Sequence, residues 1–344
     1  MAWAAPEFSN TRIDAAGKVL AASPEPTAEP DELSVVNNWR SSHGCPLQIM
    51  KMTLLKRARK VGKGSAIIAQ RIKTIRAIHR KLQLNSSMKL SKMHDIGGCR
   101  AVLTFVPDVE KLVAVYEKAT AKNPRRGGEF VRKYDYITSP KSTGYRGVHL
   151  VFKYRSESPK LSVYNGLRIE IQLRSRFQHA WATAVETVDY FTSQALKSNV
   201  GREDWKRFFA LASSAFAVLE RRPTVPGTPS GSELRDELSK LTDKIAMLED
   251  FQKATEVIQN RGAHVFILEL DSEKRTIKAR GYEKQFRMQA NIDYLALEKS
   301  IKAQPQIQAV LVSVDSFLAL KKAYPNFFLD VSRFLALLKA FINM

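Results

Sequence analysis

Four short stretches of this chain concentrate the residue types that do chemistry on phosphates. HDIGGCR, 94–100, sets His94 beside Asp95 ahead of two glycines. A tandem His-Asp is one way to hold a metal for phosphate-ester hydrolysis, but such a centre needs further ligands. The six histidines, His43, His79, His94, His149, His179 and His264, show no ligand spacing around Asp95. Asp95 is the candidate Mg2+ ligand, just before a strand, and His94 is incidental. Gly97-Gly98 lets backbone approach closely. In RIEIQLRSRF, Glu170, Gln172 and Arg174 alternate with Ile169, Ile171 and Leu173, so a strand puts the polar three on one face. A carboxylate there needs a partner or a metal.

The other two stretches are cationic. QRIKTIRAIHRKL carries Arg71, Lys73, Arg80 and Lys81 within three helical turns. Arginine offers a planar fork for phosphate, lysine a point charge. YDYITSPKSTGYRGVHLVF carries Lys141, Tyr145, Arg146 and His149, an aromatic face between basic groups that suits a nucleotide. Each stretch alone also fits a plainer role: a turn aspartate, a solvated basic face, a hairpin with core aromatics, or a packing histidine at His179.

Positioning these groups takes an α+β domain with a mixed sheet. Helices are expected over 33–42, 47–61 and 65–84, the last from Ile67, Ile68, Ile72, Ile75, Ile78 and Leu82 at helical spacing. The run 99–105 reads as a buried strand, 107–121 as a helix, and 130–137, 147–154 and 167–173 as strands. Helices follow at 177–191 and 202–221. The segment PTVPGTPSG, 223–231, is the clearest linker. Beyond it lie a charged helix over 233–259, a hairpin over 265–279, a helix over 284–302, a strand at 309–314 and two short helices. The domains are then a flexible N-terminus (1–32), a catalytic domain (33–222), the linker and a smaller α/β C-terminal domain (232–344).

Charge sharpens this reading. The net is +21, yet residues 1–34 hold two basic and six acidic side chains, and 230–344 hold seventeen and fifteen. No acidic residue lies between Leu33 and His94. The positive field belongs to 35–229 and favours polyphosphates or nucleic acid. No apolar run approaches the ~18–20 residues of a membrane span. Two cysteines exclude a disulfide framework, and the start has no secretory pattern, so a cytoplasmic protein is expected.

Together the four motifs, in order, resemble the RelA/SpoT synthetase domain over roughly 35–195. That resemblance implies a nucleotidyltransferase-like fold and transfer of the β,γ-pyrophosphate of ATP to a ribose 3′-hydroxyl. By the same resemblance, Arg71, Lys73, Arg80 and Lys81 bind ATP, Asp95 and Glu170 hold Mg2+, and Glu170 takes the hydroxyl proton. Tyr145 stacks on the acceptor base, while Lys141, Arg146 and His149 sit near its phosphates and ribose. Thr143 and Gly147 stand where alarmone synthetases usually carry Asn and Ser, which separates this loop from one built for GDP or GTP.

The C-terminal stretch more loosely resembles CapRel-type fused toxin–antitoxin proteins of phage defence. That likeness implies tRNA 3′-CCA ends as acceptor, arrest of translation, and a C-terminal part that restrains the enzyme until a phage protein binds. Tyr324 and Phe327 are then candidate autoinhibitory residues, although that pattern prefers Tyr where Phe327 stands. Two other readings remain: a small alarmone synthetase making ppGpp or pppGpp, and a non-enzymatic regulator on an inactive synthetase fold.

Overall fold

The structure is a computed structural model. It describes residues 3–26, 28–62, 64–122, 128–192, 203–251, 255–260, 262–271, 273–274, 276–301, 304, 306–314, 316–328 and 330–344. Its strands are β1 (Ile67–Ile72), β2 (Gly97–Leu103), β3 (Glu129–Asp135), β4 (Val148–Lys153), β5 (Arg168–Ser175), β6 (Thr255–Gln259), β7 (Val265–Asp271), β8 (Thr276–Tyr282) and β9 (Ile307–Ser313). They form one mixed sheet in the order β3-β4-β5-β2-β1-β9-β7-β8-β6. The pairs β2–β5 and β6–β8 are parallel, the rest antiparallel.

Alternation in β2, β4 and β5 sorts side chains onto two faces. Cys99, Ala101, Leu150, Phe152, Ile169 and Ile171 share a core with α3 (Gly44–Val61) and α5 (Val106–Lys122). The opposite face is polar at its centre. Register aligns Arg71, Gly98, Glu170, Val151 and Arg132 in one row across β1, β2, β5, β4 and β3. The next row is Ala69, Arg100, Gln172, His149 and Tyr134. Tyr145 and the helices α6 (Arg176–Thr192), α7 (Glu203–Leu219), α8 (Gly231–Ser239), α9 (Thr242–Phe251) and α12 (Ser332–Ile342) contribute to a second core. α10 (Arg287–Ser300) packs on Ile267 and Ala309 through Tyr294, while α11 (Phe317–Ala323) joins Val310, Val312 and Ala69.

The structure corrects four local expectations. Residues 65–84 are not one helix: β1 is followed by α4 (Ile75–Gln83). The apolar positions fit both readings, but Ile67–Ile72 gains ladder bonds from β2 on one edge and from β9 on the other. Thr74 then starts α4, its hydroxyl accepting from Ala77 N at 3.1 Å. Residues 233–259 split into α8, α9 and β6, because β6 finds a parallel partner in β8. The N-terminus expected to be flexible holds α1 (Asn10–Ala22), whose Ile13, Ala16 and Leu20 are buried. α2 (Pro30–Ser42) and α4 pack beside it. The Pro/Gly segment after α7 is pinned: Val225 is buried, its N–H donates to Ser214 Oγ at 2.9 Å, and Arg207 donates to Gly227 O at 2.8 Å. The C-terminal residues extend the same sheet through β9 and β1 rather than forming a sheet of their own.

Candidate active site

A cleft of about 1520 Å³ opens at the end of β1. Arg71 is the last residue but one of that strand, Lys73 lies in the turn to α4, and Arg80 and Lys81 come one to two helical turns into α4. All four line the cleft, with Asp95 and Lys141. Lys73 Nζ and Lys81 Nζ each donate to one oxygen of Asp95 at 2.8 Å. Burial raises the Asp95 carboxyl, but the two ammonium groups outweigh it and hold the acid well below the usual range. Burial also lowers Lys73, the larger influence on it. Arg71 and Arg80 make no side-chain hydrogen bond among the described residues.

Glu170 sits beside this cluster. Register places it opposite Gly98, three residues after Asp95. A Cβ built on Gly98 meets nothing within 4 Å, so the sheet floor is open between Arg71 and Glu170. His149 Nδ1 donates to Glu170 Oε1 at 2.9 Å, and Gln172 Nε2 donates to Oε2 at 2.7 Å. His149 Nε2 lies 2.5 Å from the Tyr145 hydroxyl, which also accepts from Arg174 at 2.8 Å. Burial pushes His149 down, yet Tyr145 and Glu170 together lift it to about 9. Burial would raise Glu170, but His149 keeps its carboxyl below the ordinary value. Burial would also raise Tyr145, but Arg174 and His149 bring it down to about 8. Glu170 is thus an oriented, ionised acceptor.

Not every expected residue joins the site. Arg146 turns away and donates to Glu220 at 3.3 Å in the interior. Tyr145 is 7% exposed, enclosed by Tyr136, His149 and Trp181, so its hydroxyl rather than its ring face serves the site. The half-buried Tyr136, with Lys141 Nζ 4.4 Å over its ring, was not singled out from the sequence. Its signal was the Tyr-x-Tyr alternation of β3 and the turn after it. Gln172 and Arg174 complete the network around Glu170 and Tyr145.

The C-terminal residues form part of the opposite wall. Phe327 lines the cleft, as do Glu298 and Lys299. Tyr324 OH donates to Gln70 O at 3.0 Å, and the Arg100 guanidinium lies over the Tyr324 ring. At the end of α11, Ala323 O accepts from Arg100 and Lys322 O accepts from His179 Nε2 at 3.1 Å. Arg100 Nε and Arg174 Nε and Nη1 are buried donors without partners, and His179 Nδ1, the acceptor nitrogen once Nε2 donates to Lys322 O, is buried without one too.

Among the described residues no group of three or more His, Cys, Asp or Glu is placed to hold a metal. Asp95 and Glu170 are a pair, close enough that Asp95 raises the Glu170 carboxyl. One or two carboxylates are what Mg2+ takes from protein when phosphates and water supply the rest, so this donor set fits it.

Residues 70–194 match a family model described as a region found in RelA / SpoT proteins. Over these residues the chain is similar to that region. Over 125 residues the chain is 30% identical to GTP pyrophosphokinase YjbM of Bacillus subtilis (strain 168), covering 36% of this chain and 56% of that protein. It is 26% identical to GTP pyrophosphokinase YwaC of the same organism, covering 35% and 56%. The aligned part thus spans about half the length of these relatives. The small alarmone synthetase 1 from Bacillus subtilis bound to its product pppGpp superposes with a TM-score of 0.43 at 24% identity, covering 62% of this chain and 97% of that one. The matched residues begin at Gln70 within β1, include all of α6, and contain the Asp95 and Glu170 clusters. β9, which borders β1, lies outside them. No helix among the described residues is long and apolar enough to cross a membrane.

Proposed function

We propose that this chain is a pyrophosphokinase that transfers the β,γ-pyrophosphate of ATP to a ribose 3′-hydroxyl, with the 3′-CCA end of tRNA as acceptor. One observation carries the reaction: Lys73, Lys81 and Asp95 share a cleft with Arg71 and Arg80, beside the Glu170–His149–Tyr145 chain. Phosphoryl chemistry of this kind is mostly positioning and charge neutralisation. Arg71 and Arg80 carry forks open to phosphate oxygens, and Lys73 and Lys81 add point charges while orienting Asp95. Asp95 and Glu170 would hold Mg2+, which supplies further neutralisation of the triphosphate. The 3′-oxygen bonds to the β-phosphorus, the bond between the α- and β-phosphates breaks, and AMP leaves. Glu170 accepts the hydroxyl proton, oriented by His149 and Gln172, each of its oxygens keeping a second lone pair.

A polynucleotide acceptor is supported by the positive charge concentrated on 35–229 and by the enclosure of the Tyr145 ring. The second reading, GDP or GTP as acceptor, is supported by the names of the matched relatives. Purified protein with ATP labelled at the γ-phosphate, offered tRNA or GDP/GTP, separates them: label only in guanosine product refutes the first. No transfer to either acceptor, with Asp95→Ala leaving every biochemical and growth phenotype unchanged, would instead support the inactive-fold regulator.

The C-terminal residues are proposed to restrain the enzyme, as in a toxin held by its own antitoxin and released by a phage protein. The support is Phe327, which lines the cleft with Arg71, Lys73, Arg80 and Lys81, and Tyr324, whose hydroxyl is bonded to β1 at Gln70 O. Phe327→Ala is expected to raise basal transfer. An unchanged rate refutes a plug at that position.

A further inference from the structure

The polar face of the sheet has a closed side and an open side. Towards β9 it is covered by α11 and the Tyr324–Phe328 turn. Towards the other end it stops at β3, the terminal strand. Arg132 and Tyr134 occupy alternate positions of β3, with Tyr136 next in the alternation, on the face that carries His149 and Glu170. Tyr134 and Tyr136 are half-buried and their rings are parallel, centroids 5.9 Å apart at 11°. The Arg132 guanidinium lies 5.6 Å over Tyr134, and Lys141 Nζ lies 4.4 Å over Tyr136. Tyr136 meets His149 edge-on at 5.5 Å, which connects the row to the relay at Glu170. Lys133, between Arg132 and Tyr134, points to the other face and pairs with Glu117 at 2.6 Å.

A cation–ring–ring–cation row on an edge strand has the parts of a single-strand binding groove. Rings stack on bases without regard to sequence, and cations follow the phosphates. A mononucleotide seated at Glu170 has no use for Arg132 and Tyr134, two strands away. A polymer whose 3′-hydroxyl reaches Glu170 must leave the face somewhere, and the β9 side is covered.

We infer that Arg132, Tyr134 and Tyr136 form a track on which the unpaired 3′ end of an RNA acceptor stacks as it enters the site. This rests on the polynucleotide reading above and extends it to residues beyond the reacting centre.

The test uses the full chain and a fluorescent single-stranded RNA hexamer ending in CCA, read by anisotropy at fixed salt. Transfer onto tRNA is measured in parallel. Tyr134→Leu is expected to weaken hexamer binding by about tenfold, the loss of one stacked base. Tyr134→Phe, which keeps the ring, should bind as wild type, and Arg132→Gln should weaken binding and flatten its salt dependence. ATP affinity should be unchanged in all three. In transfer, Tyr134→Leu should raise KM for tRNA and leave kcat and KM for ATP alone. If tRNA is pyrophosphorylated by Tyr134→Leu with wild-type KM, the track is refuted and the polynucleotide reading stands. If the hexamer binds through Tyr134 yet wild-type enzyme labels only GDP or GTP, the track stands as an RNA site and the acceptor reading falls. No hexamer binding by wild type refutes the track outright.

Discussion

Glu298 offers the sharpest test of how the C-terminal residues support the cleft. It lies on α10, outside the residues matched to the RelA/SpoT family model. Its carboxylate accepts from Arg40 Nη1 at 2.9 Å, from Tyr294 OH at 2.7 Å and from Ile75 N, the first residue of α4, at 3.4 Å. Arg40 Nε in turn donates to Lys73 O at 2.9 Å. One buried ion pair therefore holds the turn that presents Lys73 to Asp95. The Arg40 side chain is 2% exposed and that of Glu298 is 13%, so Glu298→Ala strands a guanidinium in the interior. Removing one partner of a buried pair costs about 3–5 kcal/mol. Urea unfolding should show that loss, and calorimetry should show weaker ATP binding as Arg40 and Ile75 N lose the carboxylate that fixes them beside Lys73. Replacing both partners, Arg40→Met with Glu298→Leu, should recover most of the stability because no charge is left unpaired. ATP affinity should stay reduced, since Lys73 O then lacks its Arg40 donor. A Glu298→Ala protein within about 1 kcal/mol of wild type, or a double variant whose loss equals the sum of the singles, would refute the argument.

Three more outcomes are expected. At Gly97 a Cβ would lie 2.8 Å from Ile169 Cδ1 and 3.3 Å from His43 Cβ, whereas at Gly98 it meets nothing within 4 Å. Gly97→Ala should cost about 1–3 kcal/mol in urea unfolding, while Gly98→Val keeps wild-type stability and loses transfer; equal stability of the two would contradict the packing. His149 is raised from 6.5 to about 9, so its contribution to stability is full below pH 6.5 and fades as pH rises through about 9. The stability gap between wild type and His149→Gln should narrow over that window, and a constant gap would show that the imidazolium is not what holds Glu170. Removing residues 230–344 takes β9 from the edge of β1 and α12 from the core shared with α6 and α7. The truncated chain should aggregate rather than act as a freed enzyme; a soluble, folded 1–229 would show that the sheet does not need β9.

The chemistry was legible where it follows from local alternation. The spacing of Glu170, Gln172 and Arg174 against Ile169, Ile171 and Leu173 fixes which side chains share a face of β5, whatever the strand packs against. Asp95 before a Gly-Gly strand, and five cations from Arg71 to Lys81, likewise follow from residue type and order. Other features depended on which segments meet. Helical spacing in 65–84 gave no sign that Ile67–Ile72 would be drawn into the sheet by β2 and β9, because ladder partners lie far away in sequence. Arg146 carries the right charge, yet buried Glu220 claims it. Tyr145 has the right ring, yet its hydroxyl is bonded into the His149 relay and the ring is enclosed.

Types and local periods therefore determined the donors and acceptors available and the faces of β2, β4 and β5 on which they stand. Tertiary structure decided their partners: that Lys73 and Lys81 converge on Asp95, that Glu298 holds the turn between β1 and α4, and that β9 joins the C-terminal residues to β1. The physical reason is that ion pairing and strand pairing reward groups brought together across long loops, and no local period encodes which distant segment supplies the partner.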